Sequence, residues 1–300
     1  MTDSDLAGIF VSVCLLTYNR AASLRRSIDS LLSQSHTNLE LIINDNCSSD
    51  YTENLGREYE RRDRRVRYFR NSKNVGYTGN QNLALERASS EYVALVHDGD
   101  IYDSNLLLKW LRALQRHSSA ALAFNALNRL DEHGIVVRTY THPYKELVPG
   151  RALFEEMLCR PDSPIFGIVM VRKSKILEAG HFDVSFVWLS DVDMWLRLLL
   201  RSDAAYVSEA LISIAPREKA HPVRIGNWDI MLERESIYNK NFHRHLDGRS
   251  AVGSDLARRM KRMLARERLI WMLWCLRRGR VGAFLNGVKY CIQQPLLRRE

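Results

Sequence analysis

Strand and helix patterns alternate through the first hundred residues, and this alternation constrains the fold more than any other feature of the sequence. Short apolar runs rich in β-branched residues, which are typical of buried strands, lie at 9–16, 39–43, 66–69 and 92–96. Segments with helical spacing of apolar residues lie between them, at 21–34, 52–63 and 81–88, with a loop over 70–80. This spacing predicts parallel βαβ units with helices on both faces of one sheet.

Three polar turns, at 17–20, 44–50 and 97–100, each follow a predicted strand. The carboxyl ends of parallel strands meet at one edge of a sheet, where ligands bind in open α/β folds. The sequence therefore predicts a ligand site at that edge. After a helix at 104–117 the alternation loosens, with a hairpin turning at His133-Gly134, a strand at 166–173, a helix at 190–201, and short strands at 204–208 and 211–215.

The turn "HDGD" carries two carboxylates, Asp98 and Asp100, two residues apart. Carboxylate oxygens at this spacing suit Mg²⁺ or Mn²⁺, whose other ligands are usually water and phosphate oxygens. The alternative is an ordinary Asp-Gly turn with solvated carboxylates.

The other two turns allow two interpretations each. Tyr18 in "LLTYNR" could stack a base, or Asn19 could simply cap the helix that begins near Ala21. The polar side chains of "NDNCSSD" could contact a nucleotide, or could serve as turn and cap residues.

The segment "WLSDVDMWLRLLL" begins a helix at Ser190. Ser190 and Asp193 match a capping box with Asp in place of Glu or Gln, which leaves Asp191 without a structural role. A carboxylate in the first helical turn is a candidate general base. Further along, "PREKAHPVR" (216–224) is either a basic surface turn or a set of diphosphate donors with His221 as a metal ligand.

Cysteine spacing and charge limit the class of protein. The five cysteines contain no C-x-x-C pair, so neither a disulfide framework nor a zinc site is predicted. The N-terminus does not read as a signal peptide, and a reducing, cytoplasmic location is expected. From Arg258 to Arg299 the chain carries twelve Lys or Arg and one acidic residue, interleaved with Met, Leu and Trp. This composition is typical of a helix on an anionic membrane or of a helical cap, and nucleic-acid binding is not expected.

Four motifs in this order resemble the inverting GT-A glycosyltransferases of family 2. They are "VSVCLLTYNR", "ELIINDNCSSD", "NVGYTGNQNLALERASSEYVALVHDGD" and "AGHFDVSFVWLSDVDMWLRL", and the resemblance covers about residues 9–221. It implies a Rossmann-like, mostly parallel sheet flanked by helices, with a helical C-terminal extension. The implied divisions are a nucleotide-sugar half at 1–103, an acceptor half at 104–223, and a basic amphipathic helical region at 224–300.

The resemblance also implies roles for individual residues. Thr17 and Asp45 would contact the base, and Tyr18 and Asn19 would shape its pocket. Further nucleotide contacts would come from Arg20, Asn46, Asn74, Gly76, Asn82 and Asp98. Asp98 and Asp100 would hold Mn²⁺ or Mg²⁺, with His221 as a further ligand, and Asp191 would be the catalytic base. Acceptor or diphosphate contacts would come from Trp188, Ser190, Arg217 and Lys219.

Two positions depart from the family pattern. Ser190 replaces the usual Glu beside the base, and Gly99 replaces a larger or acidic residue between the two metal-facing aspartates. The implied activity is metal-dependent transfer of a sugar, with inversion, from a nucleoside diphosphate sugar (a UDP-sugar foremost) to a glycan hydroxyl in cell-surface polysaccharide synthesis. If the C-terminal helices bind an anionic membrane, the acceptor is a lipid-linked glycan, and the expected location is the cytoplasmic face of the inner membrane.

Two alternatives stay open at this point. A sugar-phosphate nucleotidyltransferase also places a metal-binding carboxylate after a strand, but its usual Gly-rich phosphate loop is missing from "LLTYNRAASL". A non-catalytic, basic, membrane-associated adaptor with a degenerate GT-A fold would not need all three of Asp98, Asp100 and Asp191.

Overall fold

The computed structural model describes residues 3–216, 228–245 and 251–293. The chain forms two compact units, one of residues 1–151 with 165–220 and the other of residues 152–164 with 221–300. The divisions at 103 and 223 that the resemblance implies stay a prediction. All the described residues of the expected site belong to the first unit.

One mixed sheet organises the first unit. Its strands are β1 (Val11–Thr17), β2 (Leu39–Asp45), β3 (Val66–Arg70), β4 (Tyr92–His97), β5 (Ile101–Tyr102), β6 (Ala120–Leu130), β7 (Val136–Tyr140), β8 (Leu147–Val148), β9 (Val169–Arg172) and β10 (Asp203–Ile214). Their order is β3-β2-β1-β4-β9-β6-β10-β5, with β7 on β6 and β8 on β10. The first four strands are parallel, as predicted, and β9 then pairs antiparallel with both β4 and β6.

Helices cover this sheet because each has one apolar side. They are α1 (Asp3–Ala7), α2 (Ala21–Leu32), α3 (Thr52–Arg62), α4 (Gly76–Arg87), α5 (Leu106–Arg116), α7 (Lys173–Ala179) and α8 (Ser190–Leu199), while α6 (Gly150–Leu158) begins in the first unit and continues into the second. Leu24, Ile28 and Trp110 are fully buried in the core with the strands they cover. The helices thereby hold the sheet rigid behind the polar turns.

Helix α4 begins at Gly76 rather than near residue 81, so the predicted loop over 70–80 is too long. Glycine and asparagine are poor helix formers, which is why the pattern favours a loop. Tertiary contacts reverse this preference, because side-chain oxygens accept hydrogen bonds from the N–H groups that the start of a helix leaves unpaired. Asn46 Oδ1 accepts from Val75 N at 3.0 Å, and Asn74 Oδ1 accepts from Gly76 N at 2.8 Å.

The two short strands predicted at 204–208 and 211–215 are one continuous strand, β10. Its pairing with β6 shifts register between Val207 and Ala210 and again between Ala210 and Ile212. A bulge places extra residues in one strand and interrupts the apolar alternation without ending the strand. The polar pair Ser208-Glu209 is therefore typical of a turn in the sequence, although the strand continues through it in the structure.

The described part of the second unit includes three further helices, α9 (Trp228–His245), α10 (Ala251–Arg277) and α11 (Val281–Gln293), in agreement with the predicted helical C-terminal region. A buried ion pair joins Arg268 to Glu235, with Nε to Oε2 at 3.1 Å. The Trp271 ring packs against the Trp228 ring with centroids 4.2 Å apart and the planes tilted by 40°. Among the described helices, none has a stretch long and apolar enough to cross a membrane.

Candidate active site at the carboxyl edge of the sheet

The strand register brings the three predicted polar turns together. Thr17 at the end of β1 pairs with Asp45 at the end of β2, and Leu16 pairs with His97 at the end of β4. The carboxyl ends of these strands therefore coincide, and the following turns lie side by side. The sequence prediction that this edge collects the polar groups is confirmed.

Asp45 lies fully buried at the end of β2, where its carboxylate accepts several hydrogen bonds. Oδ1 accepts from Ser48 N at 2.9 Å and Ser48 Oγ at 2.5 Å, and Oδ2 accepts from the Tyr68 hydroxyl at 2.6 Å. Burial, followed by the hydrogen bond to Asp45, raises the pKa of Tyr68, so its hydroxyl stays a donor. Arg70 Nε lies 3.9 Å from Oδ2. Tyr68 and Arg70 were not predicted as site residues, because nothing in the sequence around them marks them.

The turn after β1 is anchored to the turn after β2. Asn19 adopts a φ of 51°, its N–H donates to Ser48 Oγ at 2.8 Å, and its Oδ1 accepts from Ser49 N at 2.7 Å. Asn19 does not cap α2, which was one of the two interpretations of this turn, since Ala21 N donates instead to Asp50 Oδ2 at 3.0 Å. Tyr18 is exposed beside this turn, while the Thr17 hydroxyl is buried and has no partner among the described residues.

The predicted nucleotide contacts on and before α4 have structural partners in this protein. Asn46 Nδ2 donates to Asn74 Oδ1 at 2.8 Å, which fixes the turn that leads into Gly76. Asn82 Nδ2 donates to Phe182 O at 2.9 Å, and Asn82 Oδ1 accepts from Phe182 N at 3.0 Å. These contacts explain the amides without a ligand, and their nucleotide-binding roles stay predictions.

The Asp98-Gly99-Asp100 turn is clamped from α2. Ser27 Oγ donates to Asp100 O at 2.7 Å and accepts from Gly99 N at 2.8 Å. Gly99 has a φ of 85°, a conformation that favours glycine. A β-carbon there would also lie 3.0 Å from Arg20 Nη2, so the departure at Gly99 leaves space for that guanidinium.

Charges of both signs meet at this turn. Arg20 Nε lies 3.6 Å from Asp98 Oδ1, and Asp100 is only 2% exposed. Arg26 Nη2 lies 3.5 Å from the point that a Gly99 β-carbon would occupy, on the same side as Arg20. Two carboxylates and two guanidiniums therefore surround one turn, an arrangement that suits a cation and a diphosphate bound together.

Asp191 lies in the first turn of α8, and its Oδ1 accepts from Val192 N at 2.8 Å. A β-carbon built on Gly167 would lie 3.0 Å from Asp191 Oδ2 and 3.1 Å from both Cε1 and Nε2 of His97. The carboxylate thus lies beside the residue that precedes the Asp98 turn. Neither Gly167 nor His97 was assigned a role from the sequence, because nothing in either segment marks the contact between them.

The capping box predicted at the start of α8 is wrong. The structure shows no side-chain cap there, and Ser190 Oγ instead accepts from Thr78 Oγ1 at 2.9 Å. Asp193 is fully buried and pairs with Arg197, with Oδ2 to Nε at 2.9 Å. Trp188 is half-buried just before the helix. Arg217, Lys219 and His221 lie outside the described residues.

The donor set for a metal consists of Asp98 and Asp100. No group of three or more His, Cys, Asp or Glu side chains within the described ranges could hold an ion by itself. Two carboxylates still fit Mg²⁺ or Mn²⁺, because these ions commonly use one or two protein carboxylates and take their other ligands from water and phosphate.

Comparisons with known proteins identify a family of glycosyltransferases. The sequence profile described as "Glycosyl transferase family 2" matches residues 12–176. A Campylobacter jejuni GalNAc(5)-diNAcBac-PP-undecaprenol beta-1,3-glucosyltransferase is 36% identical over 245 residues, which cover 77% of this chain and 76% of that protein. The uncharacterized glycosyltransferase MJ1057 of Methanocaldococcus jannaschii is 27% identical over 194 residues, covering 63% of this chain and 64% of that protein.

Solved structures confirm the fold. The crystal structure of S. aureus TarS 1–349 in complex with UDP-GlcNAc matches with a TM-score of 0.67 at 17% identity, covering 85% of this chain and 72% of that one. The sheet and its flanking helices therefore form a GT-A fold, as the motifs implied. With the profile spanning more than half of its length, this chain belongs to glycosyl transferase family 2.

Proposed function

We propose that this chain transfers a sugar, with inversion, from a nucleoside diphosphate sugar to a hydroxyl of a glycan. The observation that carries the proposal is the position of Asp191. A carboxylate on α8 lies beside His97 and next to Gly167, although 94 positions separate Asp191 from His97 in the sequence. Family membership favours this activity over a nucleotidyltransferase.

The chemistry follows from one displacement. Asp191 accepts the proton of the acceptor hydroxyl while the oxygen of that hydroxyl forms a bond to the anomeric carbon. The bond from that carbon to the diphosphate oxygen breaks, and its electron pair leaves with the nucleoside diphosphate. Attack from the face opposite the leaving group inverts the anomeric centre. Arg20 and Arg26 beside the Asp98 turn stabilise the negative charge that develops on the diphosphate.

A divalent cation belongs to the proposal. Asp98 and Asp100 would hold it, and when bound it neutralises charge on the diphosphate as a Lewis acid. Ser27 bonds the Gly99 N–H and the Asp100 carbonyl, so the backbone that carries both carboxylates is fixed before substrate binds. Preorganisation of this kind lowers the cost of assembling the charged complex.

A uridine nucleotide is the proposed donor. The support is the fold shared with TarS, which was crystallised with UDP-GlcNAc. In this chain the buried Thr17 hydroxyl and the turn around Asp45 lie where a base would reach the edge of the sheet.

The test is binding and transfer across UDP-, GDP- and dTDP-sugars, with and without Mn²⁺. Isothermal titration calorimetry on the full chain should show Mn²⁺-dependent binding of at least one UDP-sugar, and product analysis by NMR should show an inverted anomeric configuration. Retained stereochemistry would overturn the single displacement. Absence of binding to every nucleotide sugar would favour the adaptor alternative.

For the acceptor we propose a lipid-linked glycan on the cytoplasmic face of a membrane. One relative, the Campylobacter enzyme, is named for an undecaprenol-diphosphate-linked acceptor. The structure adds an apolar surface to this argument. Along α10 and α11 the exposed large apolar side chains follow helical spacing: Leu269, Ile270, Leu273, Leu276, Val281, Leu285 and Ile292.

Exposed cations flank this apolar surface, which is the pattern of an interfacial helix on anionic lipid. Arg277, Arg278 and Arg280 are exposed at the turn between α10 and α11, and Arg280 lies 5.0 Å from the ring centroid of Trp274. This anionic-membrane contact is therefore proposed for the helical region, in place of a buried helical cap.

Flotation with liposomes tests the membrane contact. Leu273→Glu combined with Leu285→Glu in the full chain should reduce binding to phosphatidylcholine–phosphatidylglycerol vesicles by about tenfold or more. Each of these exposed leucines would contribute roughly 1.5–3 kcal/mol if it became fully buried in the lipid. Ile135→Glu with Val137→Glu, on an equally exposed hairpin of the first unit, is the matched control and should float like the unmodified protein. Equal flotation of all three proteins would refute the contact.

A further inference from the structure

His97 is held in place through its backbone. The N–H of His97 donates to the Tyr102 hydroxyl at 3.0 Å, and that hydroxyl donates to the His97 carbonyl at 2.6 Å. On the other side, His97 pairs with Leu16 at the end of the parallel ladder between β1 and β4. The imidazole therefore projects from a rigid part of the sheet rather than from a loop.

The imidazole is also oriented by a neighbouring side chain. The Tyr77 hydroxyl lies 2.7 Å from His97 Nε2, and the two rings meet edge to face with centroids 5.8 Å apart. Tyr77 stands in the first turn of α4, directly after the Asn74–Gly76 turn that fixes the start of this helix. The hydroxyl thus has a defined position beside the ring.

Gly167 lets His97 and Asp191 pack closely against its backbone. A β-carbon at Gly167 would lie about 3 Å from both His97 Nε2 and Asp191 Oδ2, closer than ordinary van der Waals contact. The glycine therefore lets the edge of the imidazole and the Asp191 carboxylate pack against the same backbone position, next to each other. If Asp191 is the base, the reacting groups must come within reach of its carboxylate and hence close to the imidazole.

The order of the strands indicates which side of the site would face the base and which would face the sugar. β4 lies between β1, which carries Thr17, and β9, which follows Gly167. A nucleotide whose base lies against the ends of β1 and β2 would place its diphosphate at the turn after β4. The sugar beyond the diphosphate would then lie toward Gly167, next to His97.

We infer that His97 hydrogen-bonds a hydroxyl of the transferred sugar, and that Tyr77 is the positioning residue that orients the imidazole for this contact. The inference rests on the proposed function. Imidazole nitrogens and phenolic hydroxyls can donate and accept, as recognition of a sugar hydroxyl requires. The contact acts on the sugar and not on the nucleotide, because His97 lies on the β9 side of the Asp98 turn.

Calorimetry tests the inference by comparing the binding of UDP with the binding of a UDP-sugar. The UDP-sugar is one that the unmodified protein binds, and UDP-N-acetylglucosamine and UDP-glucose are tried first. His97→Ala should raise the Kd for the UDP-sugar by about 3- to 10-fold, the loss of one hydrogen bond, and leave the Kd for UDP within about twofold. His97→Gln, which keeps a donor and an acceptor, should recover part of the loss. Tyr77→Phe should shift the same Kd in the same direction by a smaller factor.

The comparison separates contact with the sugar from a structural effect. A general disturbance of the site would weaken UDP and UDP-sugar alike, and this result would overturn the inference, as would an unchanged Kd for the UDP-sugar. His133→Gln, an exposed histidine at the hairpin between β6 and β7, is the control and should change neither Kd. Failure of the unmodified protein to bind any nucleotide sugar would instead refute the proposed function, and the inference with it.

Discussion

Asp191→Asn is expected to reduce sugar transfer by about 10²- to 10⁴-fold while the Kd for the nucleotide sugar stays within about twofold. The amide keeps the shape of the side chain and its contact with Val192 N, but it cannot accept the proton of the acceptor hydroxyl. Binding should survive because the residues proposed to hold the nucleotide lie at the ends of β1, β2 and β4 and not on α8. The measurement is steady-state transfer with saturating donor, alongside calorimetry of donor binding.

Asp193→Asn is the matched contrast, two residues further along the same helix. Asp193 is fully buried and paired with Arg197, which also donates to the carbonyls of Ala179, Gly180 and His181. Losing the carboxylate charge should lower the free energy of unfolding by about 1–3 kcal/mol, since Arg197 keeps its carbonyl acceptors. Asp191→Asn should leave thermal unfolding unchanged. Normal transfer by Asp191→Asn would show that another group is the base.

Much of the site edge could be predicted because it depends on periodicity. Strands that are buried on both faces read as nearly continuous apolar runs, and the polar turn after each run marks its carboxyl end. The turns that contain Thr17, Asp45 and Asp98 were predicted in this way, and the register of β1 with β2 and β4 brings them together. The position of Asp191 opposite Gly167 could not be predicted, because it depends on how α8 packs in three dimensions.

The local interpretations failed where a distant side chain satisfied a backbone group. Asn19 and Ser190 both match caps, yet Asp50 caps α2 and Ser190 bonds Thr78. A capping pattern considers only side chains that are near in the sequence. In the folded chain, side chains of other turns at the same sheet edge can accept the hydrogen bonds of the helix N-terminus instead. The same cause moves the start of α4 to Gly76.

The His97–Tyr77 pair belongs to the same class of feature. Twenty residues separate the two side chains, and a strand and most of a helix lie between them. Sequence spacing alone does not indicate this contact. The structure does, because the first turn of α4 reaches the end of β4, where Tyr77 meets the imidazole.

Asp100→Ala is expected to abolish the Mn²⁺-dependent part of nucleotide binding, raising the Kd for UDP in the presence of Mn²⁺ by roughly 10- to 100-fold. Asp100 is nearly fully buried on a turn that Ser27 fixes, so no other carboxylate can move into its place without breaking that clamp. Adding EDTA to the unmodified protein should raise its Kd to the same value. The measurement is calorimetry of UDP binding with Mn²⁺ and with EDTA.

Asp100→Asn distinguishes loss of metal binding from a folding defect, since it preserves the shape of the side chain and removes its charge. It should show the same loss with an unchanged thermal unfolding midpoint. Asp162→Asn, an exposed carboxylate of the second unit, is the control and should bind UDP normally. If Mn²⁺ still strengthened UDP binding in both Asp100 variants, the metal would have to be held elsewhere, because Asp98 already lies 3.6 Å from Arg20 and would be the single carboxylate left on this turn. A single carboxylate whose charge is partly offset by a guanidinium holds a divalent ion weakly, so retained Mn²⁺ dependence would exclude the turn as the metal site.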